Sequence, residues 1–126
     1  MALANPYQQY KANSINSASP GELTLMLFNG VIKFIKAAIA AVEEKTYEKV
    51  NENLISAQDI ISYLSSTLNM NYEIAKNLSS LYDFMYSHLV TANIKKDGAA
   101  MKEVAELIEG LRDAWAEMLK QNNNQG

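Results

Sequence analysis

Apolar residues recur at helical spacing along most of this chain. Val50, Leu54, Ala57, Ile61, Leu64 and Leu68 follow one another at alternating steps of four and three. That spacing is a heptad seam, the mark of a helix laying one stripe against a bundle core. Ile74, Leu78, Leu81, Met85 and Leu89 continue it in a third segment. Met101, Val104, Ile108, Leu111, Trp115 and Met118 continue it in a fourth. No alternating run of strand period competes with these stripes, so the pattern predicts an all-α chain.

Polar punctuation divides the pattern. Ser19-Pro20-Gly21-Glu22 places an N-cap serine before a proline with preset φ and a glutamate three residues on, a capping box. The first helix is expected from there to about residue 42, followed by a short turn at Glu43-Glu44-Lys45-Thr46. Thr46, Asn71 and Asp97 are the expected caps of the next three helices, the third of which ends near Asn93. Connections of about two to eight residues make consecutive helices antiparallel neighbours. The fold expected is an antiparallel up-down-up-down four-helix bundle over residues 19–120, with an N-terminal arm over 1–18 and a mobile polar tail over 121–126.

The first helix carries more apolar surface than one stripe. Leu23, Leu27, Gly30, Phe34, Ala37 and Ala41 form one seam; Leu25, Phe28, Ile32, Ile35, Ile39 and Val42 form a second. At about 100° per residue the two lie on roughly opposite sides. Two readings follow. Either this helix is central and flanked by two neighbours, or part of the second seam lines a groove for a partner helix. A homodimer would hide the same surface. Tyr63, Tyr82 and Tyr86 flank the core seams of the second and third helices, where an amphipathic ring suits a surface that is wet when free and covered when bound. In the arm, Asn5-Pro6 marks a turn, and Tyr7 and Tyr10 share one face of a possible short helix.

Composition narrows the chemistry. The chain has 126 residues, 48% of them hydrophobic, enough for one domain with a single core. It holds no cysteine, which removes disulfides, thiolate metal sites and thiol catalysis and fits a reducing cytosol. A net charge of −3 and one arginine, Arg112, argue against nucleic acid. No bilayer-spanning stretch is expected, and Met1 to Tyr10 lack the basic and apolar regions of a secretory signal. Any imidazole chemistry rests on His88. The residue three before it is Met85, not the glutamate of a di-iron bundle. The run His88-Leu89-Val90-Thr91-Ala92 lacks the lysine and glycine of histidine phosphotransfer bundles, which remain an alternative of lower weight than a structural histidine. No catalytic triad, phosphate loop or calcium loop is present, so no enzyme activity, cofactor or metal is expected.

Taken in order, several short motifs resemble the flagellin export chaperones of the FliS family. They begin at Asn5-Pro6-Tyr7-Gln8-Gln9-Tyr10 and continue through Ser19-Pro20-Gly21-Glu22-Leu23 and Met26-Leu27-Phe28-Asn29-Gly30. Asn53-Leu54, Ala57-Gln58-Asp59-Ile60-Ile61 and Leu81-Tyr82-Asp83-Phe84-Met85 follow, then Ala92-Asn93 and Arg112-Asp113-Ala114-Trp115. Phe28-Asn29 departs from the Tyr-Asp more common in that family, removing a hydroxyl and a carboxylate. The resemblance implies a cytoplasmic bacterial bundle that binds the C-terminal segment of flagellin, prevents premature polymerisation and aids delivery to the flagellar type III export gate. The expected flagellin-binding residues are Leu25, Phe28, Ile32, Ile35, Ile39, Tyr63, Tyr82 and Tyr86. Tyr7 and Tyr10 are expected to cover a groove or meet the export gate protein. The alternative is a generic dimerising helical adaptor.

Overall fold

The computed structural model describes residues 19–125; the arm with Tyr7 and Tyr10 lies outside them. Four helices follow one another: α1 (Pro20–Glu43), α2 (Tyr47–Ser66), α3 (Glu73–Lys95) and α4 (Gly98–Gln125). Each packs on its neighbours in a closed ring, α1 on α2 and α4, and α3 on α2 and α4; α1 and α3 sit diagonally. This is the all-α four-helix bundle expected from the heptad seams. The packing is unequal. α1 is held most extensively and α3 least.

Local sequence explains the ends. The Ser19 hydroxyl oxygen accepts from the Glu22 amide at 3.2 Å and donates to the Glu22 carboxylate at 3.1 Å, with Pro20 opening the helix. The Asp97 carboxylate accepts from the amides of Ala99 and Ala100 at 3.1 and 3.2 Å, capping α4 as its spacing predicted. The other two expected caps differ. Thr46 stands at the N-cap of α2 as expected, but its hydroxyl turns back to donate to the Ala41 carbonyl at 3.3 Å and makes no side-chain capping bond to α2. Tyr72, not Asn71, is the N-cap of α3 and its side chain makes no capping bond. Left-handed residues Lys45 and Lys96 end α1 and α3, and α3 runs two residues past Asn93. The polar run from Gln121, expected to be a mobile tail, continues α4 to Gln125. It contains no proline or glycine before Gly126, and each added helical residue gains a backbone bond.

The core holds Phe28, Val31, Ile35, Leu54, Ile60, Ile61, Met85, Leu89, Met101, Val104 and Ile108, all essentially inaccessible. α1 is long and apolar enough to cross a bilayer by length and composition, contrary to the sequence expectation. A helix flanked on two sides by neighbours meets the same test, because both its flanks must be apolar. Val31 and Ala38 lie between its two seams and are fully buried, so the seams are the edges of one broad buried arc.

Candidate polypeptide-binding surface

The second seam of α1 faces α4. Phe28 meets Trp115 edge-on at 6.0 Å, and the Trp115 indole N–H donates to the Gly21 carbonyl at 2.8 Å. A Cβ at position 21 would stand 2.6 Å from a Leu119 methyl, so a larger residue there would require that side chain to shift. Outside this layer, Arg112 donates to the Asn29 side-chain oxygen at 2.7 Å and Lys36 pairs with Glu109 at 3.0 Å. The structure therefore places Phe28, Ile32 and Ile35 inside the bundle, with no open groove over them among the described residues. Leu25 and Ile39 are half-buried. The reason is topological: α1 has two neighbours in the ring, and its two seams serve one each.

The open surface lies on α3 and its junction with α2. Ile74, Phe84, Tyr86, Val90 and Ile94 of α3 are exposed, Ile94 at 79%, as are Tyr72 before α3 and Ile55 on α2. Near the open end of α2, a hollow of about 440 Å³ is walled by Ser62, Ser65, Ser66, Asp83, Tyr86 and Ser87 over a floor of Ile61 and Tyr82. A second hollow of about 390 Å³ opens at the end of the bundle, where Leu64, Leu68, Leu78, Trp115 and Met118 make an apolar lining. Tyr82, only 2% exposed, contributes to the lining of both hollows, which together are termed the trough. Burial pushes its phenol up to about 12.

Toward the other end, Asn93 donates to the Asn51 side-chain oxygen at 2.8 Å, and Lys96 to the Asn93 oxygen at 2.5 Å. This chain of bonds fixes α2 and α3 in register. Residue 51 stands beside 93, and 62 beside 83–86, so in an antiparallel pair Ile55 falls between them, near Tyr86 and Val90. Tyr86, Val90 and Ile94 recur at steps of four and share a face. They extend the trough as a strip of exposed apolar surface. Partly buried Asp59 lies on the same stretch of α2, its carboxyl raised by desolvation.

Of the tyrosines expected at a binding surface, Tyr86 is exposed here, whereas Tyr82 is 2% exposed and belongs to the core beneath the hollows. Tyr63 is half-buried against the core on α2 and does not wall the trough. Sequence reasoning passed over Ser62, Ser65, Ser66 and Ser87. Their signal was present: small polar residues three and four apart beside a heptad seam leave a depression where a larger side chain would fill it. His88 stacks on Phe84, ring centroids 5.2 Å apart, and its Nε2 is enclosed without a hydrogen bond. An enclosed Nε2 does not suit a phosphoacceptor.

An apolar trough with a polar rim, borne by the least tightly held helix, is suited to polypeptide recognition. Comparison with known proteins agrees with that class. The sequence profile of the family described as Flagellar protein FliS matches residues 3–122. The chain belongs to the FliS family. It is 49% identical over 120 residues to the Flagellar secretion chaperone FliS of Bacillus subtilis (strain 168), covering 95% of this chain and 90% of that one. It is 36% identical over 123 residues to the protein of that name from Vibrio cholerae serotype O1, covering 93% and 90%. A solved structure described as the crystal structure of a flagellar chaperone from bacteria matches with a TM-score of 0.76 over 91% of this chain and 95% of that one. At 18% identity that likeness speaks for the fold alone, and it is the fold of the FliS bundle found here.

Proposed function

We propose that this FliS-family chain is a cytoplasmic export chaperone. It binds the C-terminal segment of flagellin, keeps it from polymerising early and helps deliver it to the flagellar type III export gate. Family membership supports the class of function. The observation that carries the site is the trough along α2 and α3, from Trp115 and Leu78 past Tyr82 to Tyr86, Val90 and Ile55.

The physics favours a long surface. A disordered segment that folds on binding loses about 2–5 kcal/mol to ordering and buries on the order of 1,000–3,000 Å². No single hollow offers that area, whereas the two hollows and the strip beyond them form an extended track. The client's apolar residues meet Leu78, Tyr86 and Val90, and the serines and Asp83 accept its polar flanks. In this reading Leu25 and Ile39, on the flank of α1 that faces α4, and Tyr63, half-buried on α2, stand outside the trough. Phe28, Ile32 and Ile35 act from within, holding α1 against α4. Tyr7 and Tyr10 either cover the apolar end of the trough or contact the export gate protein.

Calorimetric titration with the C-terminal peptide of flagellin from the same organism tests this. One-to-one binding at micromolar strength or tighter is expected, weakened at least tenfold by Tyr86→Asp or Ile55→Asp with helicity unchanged. Unaltered affinity in both variants would remove the trough assignment. No heat at high peptide concentration, together with concentration-dependent sedimentation, would favour a dimerising adaptor instead.

A further inference from the structure

On the side of α3 away from the trough, a separate hollow of about 380 Å³ lies between α3 and α4, walled by Phe84, Glu103, Glu106 and Leu107. We propose that it receives an arginine side chain presented by a second polypeptide, distinct from the one held in the trough.

Four observations converge. Phe84 and Leu107 are large apolar residues, 49% and 40% exposed, on one small surface. One such residue alone would be ordinary on a soluble protein. Here they share a concavity with two carboxylates. Second, neither carboxylate is paired with a lysine or arginine among the described residues, whereas two other acids of α4 are. Glu109 is paired with Lys36, and Asp113 with Arg112 at 2.8 Å. Glu106 has no ion pair among the described residues. Glu103 stands 3.4 Å from His88 Nε2, yet that nitrogen has no hydrogen-bond partner, so no hydrogen bond from His88 occupies the carboxylate. Third, Phe84 is stacked on His88 with an interplanar angle of 19°, which holds one face of the ring and defines where the rest is offered. Fourth, Glu103 and Leu107 are four residues apart on α4, and Phe84 and His88 four apart on α3, so both pairs are set by rigid helix geometry.

The chemistry of this hollow is selective. A guanidinium stacks on an aromatic ring and bonds a carboxylate through a planar fork, while its methylene stem covers aliphatic surface such as Leu107. Phosphate or a carboxylate ligand would be repelled by Glu103 and Glu106. A second copy of this chain would bring two more glutamates to the same place, which disfavours self-pairing across this face.

The test uses the full chain, isotopically labelled, and two alanine-based helical peptides, one carrying arginines four residues apart and one with glutamine in their place. The arginine peptide should saturably shift the resonances of Phe84, His88, Glu103 and Leu107 and bind at least tenfold more tightly than the glutamine peptide. The double variant Glu103→Gln, Glu106→Gln should weaken it at least tenfold, as should Phe84→Ala, with the circular dichroism of both unchanged. Prior saturation with the flagellin C-terminal peptide should alter the affinity less than twofold. Any of four results overturns the proposal: no saturable shift at millimolar peptide, equal binding of the two peptides, indifference to the double variant, or competition by the flagellin peptide. Sedimentation showing a dimer strengthened by the double variant would assign the face to self-association, also against it.

Discussion

Ile32 offers the sharpest separation between an α1 seam that binds and one that supports. Read as an open groove, its replacement by aspartate would abolish flagellin binding and leave the helix content intact. The structure puts Ile32 at 6% exposure, between Phe28 and Ile35 in the layer against α4. Ile32→Asp then removes about 1.5–3 kcal/mol of apolar burial. An unpaired carboxylate left in that layer adds several kcal/mol of desolvation. The sum, about 5 kcal/mol or more, is comparable with the whole stability of a domain this size, about 5–15 kcal/mol. With a urea slope of about 1–3 kcal/mol per molar, the midpoint should fall by roughly 2 M or more, or the chain should be unfolded without denaturant.

The assay is far-ultraviolet circular dichroism with urea titration at two pH values. Burial raises the folded-state pKa of an introduced carboxyl above its unfolded value. Its neutral form is therefore tolerated better, and the penalty should shrink as pH falls from 7 toward 4. Ile32→Ala, which leaves a cavity without a charge, should cost about 2–5 kcal/mol and lack that extra pH dependence. Tyr86→Asp, on the open strip, should stay within about 0.5 kcal/mol of the parent. Native ellipticity for Ile32→Asp, with a loss under about 1 kcal/mol, would refute the placement of this seam in the core.

Other outcomes follow from single contacts. Because burial raises the Tyr82 phenol to about 12, its contribution to stability is complete below pH 10 and is lost as pH rises from 10 through 12. Alkaline urea titrations should show that decline, and Tyr82→Phe should reduce it. Asn29→Asp restores a carboxylate opposite Arg112 and should stabilise by about 0.2–1 kcal/mol at low salt, an effect that fades with added salt. Asp97→Ala removes the acceptor for two amides at the start of α4 and should cost about 0.5–2 kcal/mol, read as a lower melting temperature. Lys45→Gly relieves a left-handed conformation at φ 61° and should raise it slightly.

Much of this protein could be read along the chain, and the reason is locality. A heptad seam such as Val50, Leu54, Ala57, Ile61 and Leu64 is a property of one segment, and all five are buried as the stripe requires. The Ser19 and Asp97 caps depend on residues two or three positions away, so spacing alone foretells them. At Thr46 and Asn71 two local options compete: the Thr46 hydroxyl bonds backward to Ala41 although the residue stands at the N-cap, and the Asn69 oxygen takes the Asn71 amide at 3.1 Å, leaving Tyr72 at the next N-cap. The double seam of α1 showed that an unusual amount of apolar surface had to be covered, but not by what. That question was settled only by the ring order, which gives α1 a neighbour on each flank and leaves α3 with the thinnest cover. The trough at Tyr82 and the slot at Phe84 belong to that second kind of knowledge. Each joins side chains about 20 residues apart or more, on different helices, and periodicity within one helix carries no information about which residues of another will stand opposite. The sequence by itself determined four amphipathic helices and where most of them begin. Tertiary packing decided which apolar faces close on each other and which stay open to a partner.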